Sequence, residues 1–413
     1  MHKKLRFILI GVIALSNVTA YSQAVNDIVS QGAGYANQVW YSLTNDEQGS
    51  APKAEWDIAF SISSFSSSIH INPANGNIVK VYPDGTINDW DNVDATNFET
   101  WAEVNNSATD WELGAFDQNN SGSGLDFGWG VYNPVTHFVT GDSLYIVQTG
   151  EGTLKKIKLI NLTLAGVYNF EIADINGDNH YTVAVNKADY AGKQFGYYSI
   201  ANNELLDRDP VSATWDLTFM QYTEFVPVAY TVAGVLSNPN VEVLQVDGVN
   251  TDTFEDWSGE YSTEKNVIGY DWKSFNGAGY DITADRVYFI RDQEGNIWKL
   301  VFTGFGGSAT GDYEFTKELI STASVEDLSS TSILQVYPNP TTDVLNIVTD
   351  NKNNINNQLI ISDINGRVVM QENLVAIQGL QNNTLNVSNL SQGLYFLTIS
   401  NSLSSETVKF QVR

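Results

Sequence analysis

Two stretches of this chain are written twice, and that duplication limits its architecture more than any other feature. Val39-Trp40-Tyr41-Ser42-Leu43, followed by Trp56-Asp57-Ile58-Ala59-Phe60, returns as Gly196-Tyr197-Tyr198-Ser199-Ile200, followed by Trp215-Asp216-Leu217-Thr218-Phe219. The order persists downstream. Phe98-Glu99-Thr100-Trp101 returns as Phe254-Glu255-Asp256-Trp257, and Leu144-Tyr145-Ile146-Val147 returns as Val287-Tyr288-Phe289-Ile290. Matched residues lie roughly 150 positions apart, the size of one ordinary domain, so two homologous domains are expected at 30–180 and 190–320. Short runs of Val, Ile, Thr, Tyr, Phe and Trp alternate with Gly, Asn and Asp clusters, and long amphipathic helical patterns are missing. The whole chain therefore reads as all-β, two tandem homologous β-domains followed by a smaller sandwich.

A polar segment, residues 321–332, is expected to link the second repeat to that last domain. Beyond it, Leu359-Ile360-Ile361-Ser362-Asp363-Ile364 and Arg367-Val368-Val369-Met370 are β-branched runs joined at Asn365-Gly366, which predicts a tight hairpin. Pro338 and Pro340 cannot donate ladder hydrogen bonds, so the first strand should lie beside them. Tyr337-Pro338-Asn339-Pro340, the Asn365-Gly366 hairpin and Gly393-Leu394-Tyr395-Phe396 occur in the order that resembles the C-terminal sorting domain of type IX secretion substrates. The resemblance covers 333–413 and implies an immunoglobulin-like β-sandwich. It also implies partnership with the type IX secretion machinery, and passage through the periplasm to the outer cell surface or extracellular space.

The N-terminus agrees. His2-Lys3-Lys4-Leu5-Arg6 is basic, Phe7 to Leu15 is apolar apart from Gly11, and small residues follow at Ser16, Thr19, Ala20 and Ser22. This pattern predicts a signal peptide over 1–23. No later run approaches the roughly twenty apolar residues of a membrane-crossing helix, so no transmembrane segment is expected in the mature chain. The chain has no cysteine, which excludes disulfides, thiolate metal sites, thiol catalysis and a lipidated cysteine. Its formal charge is −27, which argues against nucleic acid as a partner.

The repeats resemble the HmuY family of secreted haem-binding proteins. Tyr198-Ser199-Ile200 with Thr214-Trp215-Asp216-Leu217-Thr218-Phe219 is similar to that family's early strands. The run from Asp285 to Phe302, containing Gln293-Glu294-Gly295-Asn296, is similar to its final hairpin. The resemblance implies a β-fold and a haem or porphyrin ligand, held by paired histidines or methionines from loops in the second half of each domain. Those loops, 128–134 and 269–276, contain neither residue type. His137 follows the first loop and reads as a strand or surface imidazole. Met220, whose counterpart is Ser61, reads as a packing residue.

Other chemistry is sparser. Asp57 and Asp216, like Glu99 and Glu255, recur at matched positions, but duplication accounts for that, and an Asp beside a strand Trp commonly accepts backbone hydrogen bonds. No HExxH, phosphate loop or Ser-His-Asp pattern occurs, so a secreted hydrolase ranks last and a noncatalytic protein first. Calcium is a second cofactor candidate. Loops starting at Asp174 and Asp117 open with alternating oxygen ligands, yet place Val185 and Gly128 where a bidentate acid belongs. Trp101 and Trp257 could stack on a small-molecule or glycan ligand, although their recurrence points equally to a shared core. The sequence thus leaves a haem binder, a surface adhesin and a carbohydrate-binding or structural protein as the readings.

Overall fold

A computed structural model describes residues 24–83, 85–322, 331–351, 356–375, 379–401 and 405–413. The expected signal peptide and most of the linker lie outside the described residues. The chain divides into two compact units, residues 1–322 and 323–413. Both are β-structures, as the short apolar runs predicted. Among the described residues the single α-helical turn is Gly307–Thr310.

Both sequence repeats fall within the first unit, and they trade strands. Val25–Ser30, which leads into the first repeat, pairs antiparallel with Asp312–Ser321 at the end of the second. Asn37–Ser42 pairs with Leu217–Phe225, also in the second. The second repeat returns the exchange. Its Phe195–Ser199 pairs with Ile58–Ser61, and Tyr181–Asn186, from the junction between the repeats, pairs with Val167–Asp174. Two cores result, each mixed. One packs Ile58, Phe60, Tyr145, Ile157 and Phe170 against Val185, Tyr198 and Ile200. The other packs Val29, Val39, Tyr41 and Leu43 against Leu217, Phe219, Tyr288, Leu300 and Phe315.

The repeated Trp-Asp pairs fasten this exchange by matching hydrogen bonds. The Asp57 carboxylate accepts the amide of Ile200 at 2.6 Å, and the Asp216 carboxylate accepts the amide of Leu43 at 2.8 Å. Asn72 Nδ2 donates to the carbonyl of Trp56, and Asn238 Nδ2 donates to that of Trp215. The expectation that these aspartates accept backbone bonds at strand ends is met. Their amide partners belong to the other repeat.

Irregular segments are pinned to the sheets by buried lysines. Lys156 Nζ donates to the Trp90 carbonyl at 2.7 Å and lies 4.8 Å from the centre of the same indole. Lys80 does the same with Phe98, and Lys187 reaches the carbonyls of Ser63 and Ser66 beneath the Tyr168 ring. Each ammonium is desolvated, yet keeps oxygen acceptors and an aromatic face. The few cations of an acidic chain are thereby partly spent inside.

The second unit is a sandwich of a three-stranded sheet, containing Thr331–Tyr337, Val344–Asn351 and Gly379–Asn386, and a four-stranded sheet, containing Val368–Leu374, Asn357–Asp363, Gly393–Ser400 and Ser405–Val412. Leu345, Ile347, Leu359, Ile361, Leu397 and Phe410 fill the space between them. The Tyr337-Pro338-Asn339-Pro340 segment has a structural explanation. Asn339 donates through Nδ2 to the Lys409 carbonyl and accepts the Gln411 amide, so one side chain satisfies the backbone of the last strand. Tyr395 stacks on Phe410 and donates its hydroxyl to the Ser391 carbonyl. The hairpin at Asn365-Gly366 forms, but as a three-residue loop. Asp363 and Arg367 close it, Gly366 takes the positive φ of 81°, and Asn365 donates its amide to the Asp363 carboxylate.

Candidate functional site

The hairpin formed by Leu217–Phe225 and Ala229–Ser237 is longer than the strand beside it. Asn37–Ser42 pairs only with Leu217 to Phe219, so the distal half stands clear of the sheet. Its tip is apolar and exposed at Phe225, Val226, Val228 and Tyr230. A second, shorter hairpin stands opposite, made of Lys273–Phe275 and Tyr280–Ile282. Asn276 shapes its turn by accepting the amides of Ala278 and Gly279, while Gly277 adopts a φ of 94°.

Between the hairpins lies an open groove of about 650 Å³ lined by Tyr35, Tyr230, Tyr270, Phe275, Tyr280 and Phe305 among others. The rings form a continuous series. Phe275 lies 5.4 Å from Tyr280, Tyr280 lies 4.8 Å from Phe305, and Phe305 stacks on Tyr35 at 6.2 Å. Burial and the neighbouring Tyr280 hydroxyl push the Tyr35 phenol up, so it stays neutral and able to donate a hydrogen bond. Lys273 closes one side. Its ammonium donates to the carbonyls of Ala233 and Tyr270 over the faces of Trp272 and Phe305. Burial lowers its pKa to about 7. In a chain with 48 acidic residues, this groove is lined by no carboxylate.

The four ligand candidates read from the sequence occupy separate surroundings. His137 sits exposed at the tip of a hairpin in the first repeat, with a φ of 60° and its Nδ1 bonded to the Tyr132 hydroxyl at 2.6 Å. Met220 packs against Tyr222, Val232 and Leu236. It also lines a cavity of about 40 Å³ between the repeats, room for ordered water and far too small for a macrocycle. Trp101 is half-buried, edge-on to Tyr82 and Phe98. Trp257 is 38% exposed, and its carbonyl accepts the Tyr261 hydroxyl. The matched tryptophans have thus diverged, while the phenylalanines beside them both remain packed, Phe98 in the core and Phe254 against Phe289.

A buried serine, histidine and aspartate do meet, in an order unlike a nucleophilic triad. Ser68 Oγ donates to Asp117 at 2.6 Å and contacts His70 Nε2 at 3.0 Å, while that same nitrogen lies 2.9 Å from the Trp111 carbonyl. All three side chains are buried, and desolvation lowers the His70 pKa to about 3. A neutral imidazole that bonds a serine and a backbone carbonyl through one nitrogen stitches segments together. Among the described residues no group of three or more acidic or histidine side chains is placed to hold a metal ion. In the two acidic loops the leading carboxylate is bonded within the protein, although one Asp117 oxygen is buried without a partner. Asp174 accepts from Lys155 and Asn179, and Asp117 accepts from Ser68 and Gly114.

In the second unit, the proline-flanked Asn339, the closed Asp363 loop and the Tyr395 corner coexist in one sandwich. Residues 335–413 match the family of secretion system C-terminal sorting domains. The sorting domain supports export to the cell surface or extracellular space and an interaction with the type IX secretion machinery. No described helix is long and apolar enough to cross a membrane. No curated protein matches the chain. Among solved structures, a β-glucuronidase from Parabacteroides merdae is similar at 14% identity over 48% of this chain and 28% of that one, with a TM-score of 0.17. The BSP domain of a biofilm-associated protein is similar at 10% identity over 97% and 68%, with a TM-score of 0.16. At these scores neither likeness bears on function.

The groove was not visible in the sequence reading. Its signals were Phe225-Val226-Pro227-Val228, an apolar run at a turn where polar residues are usual, and the Phe275 and Tyr280 that flank Asn276-Gly277.

Proposed function

We propose that this chain is a secreted or surface-displayed, noncatalytic binding protein that takes a neutral glycan in the aromatic groove between its two hairpins. The observation that carries the reading is the lining. Tyr230 and Phe275 stand exposed on two facing hairpins, backed by Tyr280, Tyr35 and Phe305, with hydroxyls at the rim and no carboxylate. Flat apolar rings offer faces to the C–H surfaces of pyranoses, and neutral hydroxyls bond sugar hydroxyls without desolvating a charge. The HmuY resemblance adds a tetrapyrrole as the second ligand class. The groove lining supplies no imidazole or thioether for iron, which favours the glycan.

Affinity electrophoresis of the full chain through neutral polysaccharides such as xylan, mannan, glucan and starch tests the proposal. At least one is expected to retard it, and Tyr230→Ala with Phe275→Ala is expected to weaken retardation at least tenfold at unchanged melting temperature. Free migration through every polysaccharide would overturn the glycan reading. A saturable Soret shift with hemin, lost in the same double variant, would replace it with the tetrapyrrole.

A further inference from the structure

The two outer faces of the sorting domain differ in chemistry. On the three-stranded sheet the outward row is rich in amides and hydroxyls, with Asn346 and Thr384 bonded to each other and Asn382 bonded to Tyr337. On the four-stranded sheet, strand alternation turns Leu359, Ile361, Tyr395 and Leu397 into the core and turns Ile360, Leu394 and Phe396 outward. Register then assembles a patch. Ser362 pairs with both Val368 and Phe396, Phe396 pairs with Lys409, and Leu394 pairs with Gln411. Ile364 extends the outward row of its strand to the same end as Leu394. Ile364 is 67% exposed, Val368 53% and Leu394 39%, beside the exposed ammonium of Lys409.

The motif residues divide by this geometry. Asn339, Asp363, Gly366 and Tyr395 each have a structural task already described. Ile364, Leu394 and Lys409 are exposed beside them, and the fold asks nothing of their side chains. Exposed apolar side chains gathered on one face, next to a cation in a strongly acidic chain, mark an interaction surface.

We propose that the outer face built from Ile364, Val368, Leu394, Phe396 and Lys409 docks the sorting domain onto a protein of the secretion machinery. The partner surface would be apolar, with a carboxylate opposite Lys409. The proposal rests on the sorting-domain match and is independent of the cargo's ligand.

The test is secretion of the full-length chain from its native host. Leu394→Asp, Ile364→Lys and Lys409→Glu are each expected to lower the extracellular or surface fraction at least tenfold, with the protein accumulating inside the cell envelope. Thr384→Asp, on the opposite sheet, is expected to be exported normally. Ile364 lies in a loop outside the core, so Ile364→Lys keeps the test valid should Leu394→Asp unfold the domain, which limited proteolysis of the purified chain would reveal. Normal export of Ile364→Lys and Lys409→Glu would overturn the proposal, as would an equal loss with Thr384→Asp.

Discussion

The carboxylate of Asp216 accepts the backbone amide of Leu43 at 2.8 Å, although the two residues belong to different repeats. Asp57 makes the corresponding bond to Ile200. Because each amide is buried, removing its acceptor leaves a donor without water, at a cost of about 1–3 kcal/mol. Asp57→Ala and Asp216→Ala should each lower stability by that amount. Since both cores are mixed, residues 24–322 should melt in one calorimetric transition that either variant shifts as a whole. Two separable transitions, each sensitive to only one substitution, would contradict the exchange.

Lys187 holds the carbonyls of Ser63 and Ser66, both at 2.6 Å, beneath the Tyr168 ring. Methionine keeps the aliphatic stem and removes the donors. Lys187→Met is therefore expected to destabilise the chain by about 1–3 kcal/mol. Urea titration provides the measurement, and an unchanged midpoint would mean that the loop is held by other contacts.

Burial lowers the pKa of Lys265 and of Lys273 to about 7, well below the ordinary lysine value of 10.5. Between pH 7 and 9, below the range where tyrosines of the unfolded chain ionise, the unfolded chain then binds more protons than the folded one, so stability rises with pH across that interval. The melting temperature should be higher at pH 9 than at pH 7, and Lys265→Met should reduce the difference. A flat or falling profile would show that the aromatic faces and carbonyls keep both ammoniums charged.

Gly141 lies where two strands come too close for any side chain. A Cβ there would sit 1.7 Å from the Leu159 carbonyl oxygen, whereas one at Gly124 meets nothing within 4 Å. Gly141→Ala must push the strands apart and should destabilise by about 1–3 kcal/mol or more. Gly124→Ala should be near neutral by the same thermal assay.

The all-β class and the sorting domain were legible because they depend on short-range signals. Alternation identifies the buried Leu359 and Ile361, and Asn365-Gly366 announces a reversal, although its loop proved one residue longer. The duplication was equally plain. What it could not disclose is which copy of a strand pairs with which, since Val39-Trp40-Tyr41 and Gly196-Tyr197-Tyr198 carry nearly the same pattern and either would suit either sheet. The candidate site was hidden for a related reason. Tyr230 and Phe275 lie on different hairpins, and each alone reads as an ordinary strand aromatic. The tryptophans are conspicuous in composition, but a sequence does not display burial.

The bond between Val25–Ser30 and Asp312–Ser321 sets a condition on how the chain can mature. Val25–Ser30 precedes every other described strand of the first unit, whereas the strand that receives it is the last of that unit. Until residue 321 is available the second core lacks its closing layer, and nothing local can substitute. A product truncated anywhere upstream would carry an orphaned sticky edge. The first unit therefore closes only when its two ends meet, whatever becomes of the sorting domain beyond it.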